Sequence, residues 1–411
     1  MSDYSTHPVP SRISAREFTL LIALLMSIVA ISIDALLPAL GFISQDITLA
    51  HPNQAQYVIS ALFLGMALGQ LVCGPLSDST GRKRILYAGI CLYLVGSLIC
   101  FLAQDINTLL IGRFIQGLGV AAPYVSAISI VRDKYTGNEM ARIMSLVMLI
   151  FIMVPALAPS LGQAVLLVSS WRYIFVLYIV YAAVIGLWIF FRLEETLPKT
   201  HRIQLSVSGF LDGFKEVISN RQTMRYTLCM GLFFGSFIGY LNSSQQIFQE
   251  LFNTGKLFTV YFGVLALLFG AASMVNARFV EKWGMDYLCN RAVRCLIISS
   301  GIFLVLQMLV LPTLWMFLIY AAVVFFCFGL VFGNINAMAM EPMGHVAGIA
   351  SAVIGACSSI LSMIIGTTIG QFYNGTLVPI TCGFLILSTI SLLILSIAQA
   401  RKPAEPEPVA G

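Results

Sequence analysis

Residues 18–42, FTLLIALLMSIVAISIDALLPALGF, form an apolar run interrupted by a single ionisable side chain, Asp34. Only a helix satisfies every backbone amide of such a run inside hydrocarbon, and about 20 residues are enough to cross it. A charged group at that depth costs roughly 2.5–3.5 kcal/mol on insertion scales, so a chain that keeps one generally uses it to carry protons, ions or substrate. No other acidic residue lies as deep in a hydrophobic segment of this chain.

Composition extends that reading to all 411 residues. Hydrophobic residues make up 59% and charged residues 10%, where soluble domains carry about a quarter charged. A soluble globular protein is excluded. Twelve apolar runs are read at approximately 18–42, 55–77, 85–104, 107–131, 143–167, 172–191, 226–247, 257–278, 293–312, 314–338, 346–371 and 377–399. Only Leu311, Pro312 and Thr313 separate the ninth from the tenth.

The longest polar interruption divides these runs six and six. The expected organisation is an N-terminal segment over 1–17, a first six-helix bundle over 18–191, a connector over 192–225, a second bundle over 226–399 and a tail over 400–411. In the connector Val207, Phe210, Leu211, Phe214, Val217 and Ile218 recur at helical spacing among Asp212, Lys215, Glu216 and Asn220, which predicts an amphipathic helix along the inner membrane face. The tail, rich in Pro and Glu, is expected to be disordered.

With both termini cytoplasmic, all but three of the 23 Lys and Arg fall on the inner side; Arg172 and Lys256 lie outside and Arg113 lies within a run. The net charge of +5 therefore reports topology and implies no nucleic acid. The nine cysteines are scattered without a CxxC pair or a His-Cys cluster, so they read as small buried hydrophobes and no metal site is expected. The first run is too long, and lacks a small-residue cleavage site, for a cleaved leader.

Pro38 stands four residues after Asp34 and has no amide to return to its carbonyl, so the helix is expected to kink beside its own carboxylate. Ser27, Ala30, Asp34, Pro38 and Gly41 make one narrow face of mostly small residues. Arg113, in LLIGRFIQGLGVAAPYVSA, lies at a comparable depth, about 10 Å below the outer surface at 1.5 Å per residue. Arg113, Gln116, Gly117, Val120 and Tyr124 then descend one face, a partly polar stripe expected to suit an aqueous cavity. Pro155, Pro159 and Gly162 in VPALAPSLG predict a bending helix with a place for close approach.

The inner loop GPLSDSTGRKR carries Gly74, Asp78, Gly81, Arg82 and Lys83, with Asp133 closing the fourth run on the same side, a set able to form an ionic latch. The equivalent loop of the second half, ARFVEKWGMD, repeats the intervals with Ala277, Glu281 and Gly284, as a duplicated transporter fold predicts. The second half has no embedded acid or base. It offers Phe234, Phe237, Tyr240 and Asn242 in its first run, Phe262 in the next, and Asn334 and Asn336 in the tenth, apolar walls with a few amide and hydroxyl groups that suit a lipophilic ligand.

These motifs resemble the major facilitator superfamily, and within it the drug:proton antiporters of the bicyclomycin and chloramphenicol resistance type. DALLPAL (Asp34, Pro38, Ala39) looks like the first-helix signature of that branch, GPLSDSTGRKR is close to the superfamily's loop motif, RFIQGLG (Arg113, Gln116, Gly117, Gly119) resembles the fourth-helix motif and PALAPSLG the fifth-helix antiporter motif. The sequence departs at Ala158 and Gln163, where that motif commonly has glycines, and Ser79 and Thr80 make the loop less basic.

The resemblance implies an all-α integral membrane fold, twelve transmembrane helices in two six-helix bundles around a central cavity, in the inner membrane. It implies Asp34 as the protonated carboxylate and Arg113 as its modulator, Asp78 with Arg82 and Asp133 as a latch favouring the outward-open state, and Pro155 to Gly162 as a hinge, with Pro38. Asp34, Gln116, Tyr124, Phe234, Phe237, Tyr240 and Asn334 are the expected substrate contacts. Function is then proton-coupled efflux of a lipophilic, cationic or neutral small molecule by a monomer embedded in lipid, with the proton gradient as energy source and no cofactor.

Three alternatives stay open. The same fold serves an exporter of a specific metabolite or siderophore, or a proton-coupled importer. A receptor or assembly factor that no longer transports is the third. An enzyme is not expected, since the runs hold no His-rich cluster, nucleophile motif or paired carboxylates.

Overall fold

The computed structural model describes residues 13–47, 49–202 and 206–399, and every regular element among them is helical. The N-terminal residues 1–12 and the tail 400–411, for which a cytoplasmic segment and disorder are expected, lie outside the described residues.

The first helix, α1 (Ala15–Asp34), starts at Ser14, whose side chain accepts from the Glu17 amide at 3.2 Å, the Ser-x-x-Glu arrangement that favours a helix start. It ends at Asp34. A 3-10 turn, Leu37–Ala39, follows around Pro38, and helical geometry resumes in α2 (Leu40–Asp46). The expected kink is thus an interruption of the α-helical hydrogen bonding, within one helical stretch from Ala15 to Asp46. The first half continues with α3 (Tyr57–Thr80), α4 (Arg82–Leu102), α5 (Ile106–Lys134), α6 (Gly137–Val168) and α7 (Tyr173–Arg192). Asp105 begins α5 by accepting from the Thr108 amide at 3.0 Å and its hydroxyl at 2.7 Å; these bonds hold its carboxyl below the usual carboxylate range.

The connector helix α8 (Val207–Ser219) opens the second half, followed by α9 (Arg221–Gln245), α10 (Phe258–Trp283), α11 (Met285–Leu309), α12 (Leu314–Met340), α13 (Ala347–Gln371) and α14 (Val378–Gln399). Thr313 starts α12 by accepting from the Met316 amide at 3.4 Å, so the short Leu311 to Thr313 interval does separate two helices. Ten stretches of the described residues are helical, long and apolar enough to cross a membrane, and one of them, Leu314–Gln371, runs through both α12 and α13. The remaining long helix, α9, is made less apolar by the run Asn242, Ser243, Ser244, Gln245 and Gln246, and it passes into a π-helical turn at Gln246–Leu251.

The chain divides into two compact units, Met1–Val207 and Ser208–Gly411. In the first, α1 packs on α6 and α7, α3 and α4 on α5, and α4 on α7. In the second the same pairing recurs with α9 on α13 and α14, α10 and α11 on α12, and α11 on α14. The loop repeat is mirrored in the backbone: Gly81 (φ +106°) joins α3 to α4, and Gly284 (φ +78°) joins α10 to α11, both in conformations that a side chain disfavours. Outward faces are apolar, as at Leu187, Phe190, Phe191 and Ile319, which suits contact with lipid.

Helix α8 forms where the spacing predicts it. Gly213 lies against Ile349 of α13 and Glu216 pairs with His345 at 2.6 Å, while Leu211 and Ile218 stay exposed.

Candidate functional site

The break after Asp34 decides what surrounds it. In an unbroken helix the Ser32 carbonyl would accept from the amide of Leu36, but that amide turns to Ile33 at 3.3 Å as α1 tightens. Carbonyls at a helix end need other donors. For Ser32 they arrive from two neighbouring helices: Arg113 Nη2 of α5 at 2.9 Å and Tyr178 Oη of α7 at 3.3 Å. The Ser32 hydroxyl donates to Ile28 O at 2.5 Å, so the 2.6 Å contact between it and Tyr93 of α4 is a bond that Tyr93 donates.

Arg113 is wholly buried, which rules out a side chain that merely reaches outward to headgroups. Its Nε donates to Val58 O of α3 at 3.0 Å and its Nη1 to Gln116 Oε1 at 2.6 Å. Gln116 in turn donates to Ser97 Oγ of α4 at 2.7 Å. The guanidinium thus ties α1, α3 and α5 together through carbonyl and amide acceptors, and it sits at the carboxyl end of α1, where the helix dipole is negative. An acceptor on each of its three nitrogens helps make a buried charge tolerable.

The stripe that begins at Arg113 is enclosed by neighbouring helices. The stripe Arg113, Gln116, Gly117 and Val120 does not line an open aqueous cavity within this unit; it is packed among α1, α3 and α4, with only Tyr124 half-buried. Gln116, expected to contact substrate, has both ends of its amide engaged. The equal depth of Arg113 and Asp34 also does not make them an ion pair. The Asp34 side chain, 6% exposed, makes no hydrogen bond or ion pair with any described residue.

Helix α6 closes the site from the other side. It runs unbroken through Pro155 and Pro159, the latter buried, and presents Gly162 to the broken segment of α1. A Cβ at Gly162 would stand 1.8 Å from the Ala35 carbonyl oxygen, so only glycine admits this approach. Ala158, one turn before Gly162, is fully buried.

At the other end of the unit Arg82, 3% exposed, bonds Asp133 through Nε at 2.8 Å, Ser77 at 3.1 Å and Asp78. The expected latch set is therefore assembled, with Gly74 half-buried nearby in the sequence and Gly81 supplying the turn. Sequence reading missed Glu195. Its carboxylate accepts from the Arg82 and Lys83 amides at 2.9 and 3.2 Å, closing the start of α4 from the connector, and Thr196 donates to Asp133 at 3.2 Å. Glu281, at the equivalent place in the second half, is exposed.

In the second unit Phe237 meets the rings of Phe234, Tyr240, Phe269, Phe325 and Phe328, and Tyr240 stacks on Phe262. These rings pack against one another, with Phe234 and Phe237 half-buried and the others named in the sequence reading buried. Asn334 is paired reciprocally with Asn276 of α10, a partner that sequence reading missed: each amide nitrogen donates to the other's oxygen, at 2.6 and 3.0 Å. Asn242 donates to Gly366 O at 3.2 Å.

Residues 21–367 match the family described as the Major Facilitator Superfamily. The chain is 31% identical over 381 residues to the Uncharacterized MFS-type transporter YdgK of Bacillus subtilis (strain 168), covering 91% of this chain and 94% of that protein. It is 26% identical over 370 residues to the Bicyclomycin resistance protein homolog of Haemophilus influenzae, covering 88% and 91%. It is 29% identical over 373 residues to the Multidrug resistance protein MdtL of Klebsiella pneumoniae (strain 342), covering 89% and 92%. Among solved structures, the partially occluded inward open conformation of the xylose transporter XylE from E. coli aligns with a TM-score of 0.73 at 12% identity, over 95% of this chain and 98% of that one. At that identity the likeness concerns the fold.

Proposed function

Because the chain belongs to the Major Facilitator Superfamily, we propose that it is a proton-coupled exporter of lipophilic, cationic or neutral small molecules across the inner membrane, with Asp34 as the protonation site. One observation carries this reading: a buried carboxyl at a helix break, with no counter-ion among the described residues, two residues after a carbonyl bonded by an arginine that has another acceptor on each of its other two nitrogens. A carboxylate stripped of water and partner is costly, so charge at Asp34 follows its surroundings. The names of two relatives, bicyclomycin resistance and multidrug resistance proteins, favour drug export over the other cargoes.

In the proposed cycle two six-helix bundles alternate access to the two sides. A proton from outside neutralises Asp34 and favours release of the cargo; cargo binding from inside favours proton loss to the cytoplasm. Each proton moving inward contributes about 2.3 kcal/mol per 100 mV, which sustains uphill export. Both termini are placed in the cytoplasm, in keeping with the distribution of Lys and Arg. Arg113 modulates Asp34 through Ser32, the Arg82 cluster latches one conformation, and α6 with the Pro38 break supplies the hinge.

The test is accumulation of a fluorescent lipophilic cation, ethidium, in cells with and without the protein. Lower accumulation with the protein, abolished by a protonophore and by Asp34→Asn, is the expected result. Unchanged or higher accumulation, or export by Asp34→Asn equal to that of the native chain, refutes the reading.

A further inference from the structure

Tyr178 of α7 reaches the carboxyl end of α1, where Asp34 ends the helix. Its hydroxyl lies on the Ser32 carbonyl, two residues before Asp34, and shares that acceptor with Arg113. It is wholly buried and fixed by an edge-on contact with Phe175 at 5.6 Å between ring centres.

Proton bookkeeping sets Tyr178 apart from its neighbours. The Ser32 hydroxyl is committed to Ile28 O at 2.5 Å and the Tyr93 hydroxyl to Ser32 Oγ at 2.6 Å. Tyr181, one turn along α7, donates to Leu24 O at 2.9 Å. Arg113 has strong acceptors at 2.6 to 3.0 Å on all three of its nitrogens. The Tyr178 bond is the longest of the set at 3.3 Å, and its acceptor is already served by Arg113. A hydroxyl needs only to rotate to give such a bond up.

Taking Asp34 as the protonation site, as proposed above, we propose that Tyr178 is the positioning residue that answers its change of charge: when Asp34 loses its proton, the Tyr178 hydroxyl leaves the Ser32 carbonyl and donates to the carboxylate. Arg113 keeps the Ser32 carbonyl satisfied throughout, so the exchange leaves no buried acceptor without a donor. Other groups able to carry charge around this pair are Arg113 and Tyr124 on α5, and Tyr93 and Cys100 on α4. Helix α6, packed along α1, contributes none from Ile150 to Val168. A hydrogen bond to the charged form stabilises it, so Tyr178 is expected to ease proton loss from Asp34.

The experiment is an infrared pH titration of the full-length protein in detergent, following the carboxyl band that Asp34→Asn removes. Tyr178→Phe is expected to raise the midpoint of that band by about one pH unit, a tenfold tighter hold on the proton, while Tyr93→Phe leaves it in place because its hydrogen is committed to Ser32. An unmoved midpoint in Tyr178→Phe, or an equal rise in Tyr93→Phe, overturns the proposal. Should Tyr178→Phe not be recovered folded, 3-fluorotyrosine at position 178, a stronger donor of nearly the same size, is expected to lower the midpoint, and no change again overturns the proposal. A native protein in which Asp34→Asn removes no titrating band refutes the protonation site itself; a titrating band that ignores Tyr178 refutes only the role given to Tyr178.

Discussion

Gly162 of α6 touches the backbone of Ala35 in α1, one residue after Asp34 and within the break that Pro38 imposes. The contact is between main chains, so no rotamer change can relieve an added side chain there. Gly162→Ala is expected to force α6 away from α1, at a cost of about 1–3 kcal/mol typical of overpacking. A melting temperature measured in detergent would fall by several degrees, whereas Gly333→Ala inside α12, where an added Cβ meets open space and helix propensity improves, would not lower it.

Arg113→Lys tests whether charge or shape matters at the end of α1. A lysine supplies the charge but cannot place donors on Val58 O, Ser32 O and Gln116 Oε1 at once. At least one buried acceptor is then left without a donor, at about 1–3 kcal/mol. The expected outcome is a lower melting temperature than the native chain, and one not restored by raising salt, since the site is buried.

What can be read from the sequence follows from how local each cause is. Proline chemistry acts over four residues, so the spacing of Pro38 from Asp34 is enough to announce the break. The duplication is legible because Gly81 and Gly284 answer the same backbone need, a positive φ at the turn between two long helices. Arg113 is visible in the sequence as a buried charge, but its acceptors are the carbonyls of Ser32 and Val58, which every residue possesses and no pattern marks. The stripe below it reads as a cavity wall because polar residues on one face suit water and helix packing alike; only the partners of Gln116 on either side separate the two.

Distance in the chain hides the remainder. Glu195 acts on Arg82 across more than a hundred residues, from the part of the connector that precedes its helix, and nothing in ETLPK distinguishes that carboxylate from a solvated one. The same holds for Asn276 and Asn334, whose pairing is visible only once α10 and α12 are side by side.

The inner cluster gives a ranking. Removing Asp133 leaves the buried Arg82 guanidinium short of its Nε partner, so Asp133→Ala is expected to cost about 3 kcal/mol, as for a broken buried pair. Glu195→Ala removes the acceptor at the start of α4, worth about 1 kcal/mol as for a lost helix cap, together with the bond from the Leu197 amide at 3.2 Å and a partly exposed ion pair with Arg202 at 4.0 Å. Denaturation midpoints should fall in that order, and the double variant of Arg82 and Asp133 to alanine should cost less than the two singles added, because each single destroys the same bond.

The amide pair of α10 and α12 separates a packing role from ligand contact. Asn334→Leu leaves the Asn276 amide facing a hydrocarbon group, and Asn276→Leu leaves Asn334 with only its bond to Leu330 O at 2.9 Å, so each single change is expected to lower the melting temperature. Replacing both partners removes the buried need together with its answer, and the double leucine variant should recover most of the loss. If Asn334 also contacts the cargo, a ligand must first open this pair; Asn276→Leu, which opens it beforehand, would then raise the affinity for ethidium while lowering stability. Stability recovered in the double variant with ethidium affinity unchanged in all three variants would assign the pair to helix packing alone.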